Sequence, residues 1–99
     1  MNVVVQLQGS LAHVVRQGLR GVHLLFGPDD LVAAGNVAAV VEKRVAQELA
    51  RATLALANCG SLEEARARIR ACSPDCRAQL ASFYLRLLSR YAAAQGHAN

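Results

Sequence analysis

A chain of 99 residues and 10.5 kDa has room for one domain, because domains usually contain about 100–150 residues. With 54% hydrophobic and 18% charged residues, the composition is too apolar for a disordered segment. Charges interrupt every apolar stretch before the roughly 20 residues that a membrane span needs. We therefore expect a single domain over residues 1–99 that does not associate with a membrane.

The apolar residues are mostly Ala, Leu and Val, with few aromatic side chains. Ala and Leu are the strongest helix formers, which favours a mainly α protein. We expect a small bundle of about four helices, of which two are long and antiparallel, one is short and one is medium. The Arg-rich, Lys-poor composition is typical of a GC-rich, bacterial genome and carries no functional signal by itself.

The first long helix is predicted over residues 2–26 from a polar stripe at spacings of three and four residues. The stripe consists of Asn2, Gln6, Ser10, His13, Gln17 and Arg20. Residues 2–8 also alternate like a short strand, which stays open as an alternative to the first helical turns. Gly9, Gly18 and Gly21 are unfavourable inside a helix, so they either mark close helix contacts or indicate that the helix begins only at Ser10, after the short strand.

Three further helices follow clear start signals. Gly27 and Pro28 break the chain before the second long helix, which continues to Leu56 unless Gly35 and Asn36 kink or restart it. The third begins after Ser61 in a capping box, and the fourth begins after Ser73 and ends near Gly96. The predicted core residues of the last two helices are Leu62, Ala65, Ile69, Cys72, Leu80, Phe83, Tyr84, Leu87, Leu88 and Tyr91.

Three cysteines, an odd number, are more typical of a reducing compartment than of a disulfide scaffold. No basic lead precedes the N-terminal apolar stretch, so the sequence predicts a cytoplasmic protein. Cys59, Cys72 and Cys76, with His97, lack the close second pair of a typical zinc site. We predict no metal and no other cofactor, and leave open whether Cys72 and Cys76 form a redox pair or simply pack.

Catalytic patterns are not evident in the sequence. Ser10 and His13 share a helix face without a carboxylate to orient the imidazole, and the glycines match no phosphate-binding loop. A helical chain of this size also has little room for a pocket of about 300 Å³ unless two subunits form it. We predict that the protein is not an enzyme.

The predicted function is protein binding, because the first helix is apolar around most of its circumference and needs a cover. A small intracellular regulator or adaptor, such as an anti-activator, an inhibitor or a chaperone-like protein, would use this helix, with a homodimer as the expected state. The predicted contact residues are Leu11, Val15, Arg16, Leu19, Arg20 and Val22.

The alternative is a dimeric DNA-binding transcriptional regulator. Residues 61–88 resemble a helix-turn-helix segment, in which the last helix would enter the major groove. Its predicted base contacts are Arg77, Gln79, Ser82 and Arg86.

Overall fold

A computed structural model describes residues 3–37 and 40–98. It contains five helices: α1 (Val3–Leu19), α2 (Pro28–Ala34), α3 (Lys43–Ala57), α4 (Leu62–Arg70) and α5 (Pro74–Ala98). No strand occurs among the described residues. The mainly α prediction is confirmed, whereas the arrangement of four helices is not.

The longest helix, α5, is the central element of the fold. It packs against α1, α2 and α3, and α3 also packs against α4. The predicted pair of long antiparallel helices is therefore replaced by a central C-terminal helix with shorter helices around it. Among the described residues, one cluster of buried side chains forms the centre of the core: Val14, Phe26, Ala34, Ile69, Cys76, Leu80, Ala81 and Tyr84.

The first helix ends earlier than the sequence predicts, at Leu19 rather than near Phe26. Gly21 adopts a left-handed conformation with φ of 87°. The amide of Val22 donates to the carbonyl of Gln17, and that of Gly21 donates to Gly18. These two bonds form a Schellman motif with Gly21 as its left-handed residue, so this glycine is a stop signal and not an interior position.

The N-terminal residues form helix and not a strand. Residues 3–8 belong to α1, and Asn2 lies outside the described residues. Of the two explanations offered for the glycines, close helix contact holds for Gly18, which is buried where α1 meets α5.

The second predicted helix is two helices, α2 and α3. Gly35 caps the end of α2, and the Asn36 side chain donates to the carbonyl of Val32. The chain restarts only at Lys43. The intervening Val37, Val40 and Val41 are β-branched residues, whose helix propensity is lower than that of Ala or Leu.

The predicted starts of the last two helices are confirmed. The Ser61 hydroxyl accepts a hydrogen bond from the Glu64 amide, and the Glu64 carboxylate accepts one from the Gly60 amide. The Ser73 hydroxyl accepts from the amide of Cys76 in the first turn of α5. This last helix continues through Gly96 to Ala98, beyond its predicted end.

Residues 22–27 link α1 to α2 and are held against the last two helices. Arg66 Nε donates to the carbonyl of Leu24 at 2.5 Å. The buried ring of Phe26 packs against that of Tyr84, with centroids 5.3 Å apart. The Tyr84 hydroxyl and His23 Nδ1 are hydrogen-bonded at 2.6 Å. These contacts anchor the segment that the sequence places in helix one.

Candidate interaction surface

The apolar face of α1 extends beyond the part that the chain covers. Val14, Val15 and Gly18 are buried on this face. Leu11 lies three, four and seven residues before them, so helical periodicity puts it on the same face. It is nevertheless 44% exposed. The face that packs on α5 at Gly18 is thus left open at Leu11.

The same relationship occurs on α5. Tyr84 is buried and Leu88 is half-buried, and both contact the position of Gly18 on α1. Tyr91 follows them by seven and three residues, which places it on the same face. It was predicted to be in the core but is 48% exposed. We call Leu11 and Tyr91 the open ends of the two apolar faces.

The predicted contact residues of helix one do not share one environment. Arg16 and Arg20 are exposed, as the prediction requires, and Val22 is 47% exposed just after the Schellman turn. Leu19 is half-buried. Val15 is only 2% exposed and is unavailable to a partner in this conformation.

An exposed aromatic residue adds to the accessible apolar surface of α5. Phe83 was predicted to be buried, but its side chain is about half exposed. The guanidinium carbon of Arg86 lies 4.6 Å from the centre of its ring, which is a cation–π contact. Aromatic and arginine side chains are the types most enriched at energetically important positions of protein interfaces.

The residues predicted to contact DNA are not brought to one exposed face. Gln79 is buried, at 8% exposed, and Ser82 is half-buried. Arg77 is half-buried and lies 3.5 Å from the Asp30 carboxylate, where it also donates to the carbonyl of Arg70. Arg86 is exposed but stacks on the Phe83 ring. Side chains engaged in this way are poorly placed to read base edges together.

The three cysteines occupy two separate environments. Cys59 is buried, its thiol donates to the carbonyl of Ala55, and burial raises its pKa. Cys72 and Cys76 lie together at the junction of α4 and α5. Burial, followed by the effects of Cys72 and Glu48, raises the pKa of the Cys76 thiol to about 12. This thiol is therefore protonated near neutral pH.

A carboxylate that the sequence analysis missed completes the environment of Cys72 and Cys76. The Glu48 carboxylate on α3 accepts hydrogen bonds from the Ser73 hydroxyl at 2.5 Å and from the Ser73 amide at 2.8 Å. These bonds lower the pKa of Glu48. A ligand atom of Glu48 and the two thiols lie within 4.8 Å of one another.

A cleft of about 590 Å³ lies between the α2–α3 connection and the start of α5. It is larger than we expected for a single helical chain. Two carboxylates, Glu42 and Asp75, lie along it, and both are within 4 Å of the Arg44 guanidinium. Both carboxylates are exposed and share Arg44 as a counterion.

No protein-family model matches this chain, no curated protein shows significant similarity to it, and no solved structure matches its fold. A membrane span would require a longer continuous apolar segment than any helix in the described part of the chain provides. The geometry therefore defines a small mainly helical protein with partly uncovered apolar faces.

Proposed function

We propose that this chain is a non-catalytic intracellular regulator or adaptor that acts by binding a helical surface of another protein, and that it forms a homodimer. The observation that carries the proposal is the exposure of Leu11 and Tyr91, because each continues a helix face that reaches the buried core. A second helical surface laid across these ends would remove apolar area from water.

Other exposed side chains of α1 and α5 support a protein partner. Arg16 and Arg20 are exposed on or just after α1, and Phe83 with Arg86 is exposed on α5. Arginine and aromatic side chains are enriched at protein interfaces relative to the rest of the protein surface. Anti-activators, inhibitors and chaperone-like proteins all act through such surfaces without catalytic groups.

A homodimer needs no second protein to cover the open ends. In a two-fold dimer the same patch is used by both subunits, so one apolar face can cover its own copy. The patch must then be self-complementary, and apolar side chains such as Leu11 meet this requirement more easily than a single-sign charge cluster does. The partner protein would either compete with the second subunit for this surface or bind so that it extends the same surface.

Light scattering coupled to size exclusion tests the homodimer. We expect a wild-type dimer whose mass is unchanged between low and moderate salt, since apolar contacts depend little on screening. Leu11→Ser and Tyr91→Ser should each weaken the dimer by about tenfold or more, because each removes a large apolar contact.

A matched control is Leu54→Ser on α3. Leu54 is more exposed than Leu11, at 66%, and is remote in sequence from both open ends. This variant should remain dimeric. A wild-type monomer at all concentrations, or equal weakening by Leu54→Ser, would contradict the proposed surface.

The DNA-binding alternative has less support, because Gln79 is buried and Arg77 is engaged with Asp30. A binder that neutralises several phosphates loses affinity steeply as salt rises. Duplex DNA titrated at two salt concentrations therefore separates the hypotheses. Two results together would favour the DNA-binding regulator: tight binding whose affinity falls steeply as salt rises, and loss of this binding in Arg86→Ala.

A further inference from the structure

The junction of α4 and α5 brings together three side chains with metal-binding atoms from different parts of the chain. Glu48 comes from α3, Cys72 from the turn after α4, and Cys76 from the first turn of α5. One ligand atom of each lies within 4.8 Å of those of the other two. We propose that Glu48, Cys72 and Cys76 form a binding site for a thiophilic divalent cation, with Zn²⁺ as the ion.

The spacing suits zinc. Zn–S bonds are about 2.3 Å long and Zn–O bonds are slightly shorter, so two ligands of a tetrahedral ion lie about 3.7 Å apart. Ligand atoms that are already within 4.8 Å need to move inward by only about 1 Å. Cys72 and Glu48 are half-buried, which lets a cation approach the buried Cys76 from their side.

The neighbours of the three ligands are those that support a metal ion. The Glu48 carboxylate is oriented by two hydrogen bonds from Ser73. Each carboxylate oxygen keeps a free lone pair when it accepts one hydrogen bond. Ligating carboxylates are commonly held by such outer contacts, which fix the ligand before the metal arrives.

The charge of the filled site can be balanced. Each thiol releases one proton to solvent when it coordinates the ion, which leaves two thiolates and one carboxylate around Zn²⁺. The resulting single excess negative charge lies near Arg44 and Arg51, whose charges already act on Glu48. Three protein ligands leave a fourth position for water or for another ligand.

This site differs from the cysteine and histidine set considered in the sequence. Cys59 is buried elsewhere with its own backbone partner, and the side chain of His97 lies outside the described ones. Glu48 replaces them as the third ligand. The earlier prediction of no metal weighed only cysteine and histidine spacing and left out the carboxylate of a preceding helix.

The test is a titration of the full chain with Cd²⁺ in a phosphine reductant, followed by competition with Zn²⁺. Thiolate ligands give Cd²⁺ an ultraviolet charge-transfer band. We expect one Cd²⁺ per chain and its displacement by Zn²⁺. Cys72→Ser should weaken binding by more than about 100-fold, since loss of an outer contact alone costs about 10–100-fold.

Two further variants separate ligand loss from misfolding. Glu48→Gln keeps both thiols and so should retain the charge-transfer band of the Cd²⁺ complex while weakening Zn²⁺ binding. Cys59→Ser is the matched cysteine control and should bind as the wild type does. Zn²⁺ should raise the Tm of the wild type and of Cys59→Ser, and should leave that of Cys72→Ser unchanged.

Three results would overturn the proposal. They are a reduced wild-type chain with no charge-transfer band, Cd²⁺ that Zn²⁺ does not displace, and equal affinity in Cys72→Ser and wild type. A folded Cys72→Ser variant, verified by its helical circular dichroism, makes the comparison of its affinity with that of the wild type decisive.

Discussion

Gly18 on α1 packs directly against Tyr84 on α5, with no room for a side chain between them. A methyl group at Gly18 would overlap the Tyr84 hydroxyl and would lie 2.9 Å from Leu88 Cδ2. The Tyr84 side chain cannot easily change position, because it is buried and hydrogen-bonded to His23. This contact sets how closely the two helices approach.

Gly18→Ala should therefore destabilise the protein. Forcing an extra methyl group into a packed contact typically destabilises a protein by about 1–3 kcal/mol. The higher helix propensity of Ala offsets up to about 1 kcal/mol of this loss. We expect a net loss of about 1–2 kcal/mol in the free energy of unfolding, measured by urea denaturation.

Gly35→Ala is the control for this substitution. Gly35 has a right-handed conformation at the end of α2, and its nearest contact for an added methyl group is an ordinary 3.5 Å. The free energy of unfolding of Gly35→Ala should stay within about 0.5 kcal/mol of that of the wild type. A loss at Gly35 as large as that at Gly18 would show that the α1–α5 contact is not the cause.

Gly21→Ala should also destabilise the protein, for a different reason. No other atom lies near enough to touch a methyl group there, but the backbone is left-handed with φ of 87°. An L-residue with a Cβ pays about 1–2 kcal/mol in this region, whereas Asn tolerates it better. Gly21→Asn should thus lose less stability than Gly21→Ala in thermal unfolding, and equal losses would contradict a backbone origin.

The parts of the fold that the sequence predicted well depend on residues close together in the chain. Ser61 with Glu64, and Ser73 with Cys76, mark helix starts through hydrogen bonds between residues three positions apart. The end of α1 was missed because its polar stripe continues to Arg20, which hides the stop at Gly21.

The candidate sites were predicted less well, since they depend on packing between helices. Val15 was predicted to be an interface residue because it is apolar, but it is buried within the chain. Glu48 lies near Cys72 and Cys76 only because α3 packs on α5. Spacing along the chain contains neither relationship.

Ser61→Ala tests the best local signal. The variant loses the hydroxyl that accepts the Glu64 amide, and loss of such a cap typically costs about 1 kcal/mol. The urea midpoint should fall while the denaturant slope stays constant. Ser89→Ala, at an exposed position inside α5, should show no loss because Ala is the better helix former. A midpoint that falls equally in both variants would contradict the role of the cap.

Tyr84→Phe removes the hydroxyl that is hydrogen-bonded to His23 Nδ1 and keeps the packed ring. At neutral pH we expect a loss of about 0.5–1.5 kcal/mol, the usual contribution of one hydrogen bond. Tyr91→Phe removes a hydroxyl from a half-exposed ring and should change the stability at neutral pH little.

The same variant predicts an alkaline effect of defined sign. Burial raises the pKa of Tyr84 in the folded state above the 10.0 of a free tyrosine. The folded state therefore holds this proton more tightly, so the stability that the hydroxyl contributes is complete below pH 10 and falls as pH rises toward the folded pKa. The difference in unfolding free energy between wild type and Tyr84→Phe should shrink over this range. A difference that stays constant or widens above pH 10 would show that the Tyr84 hydroxyl is not the titrating group.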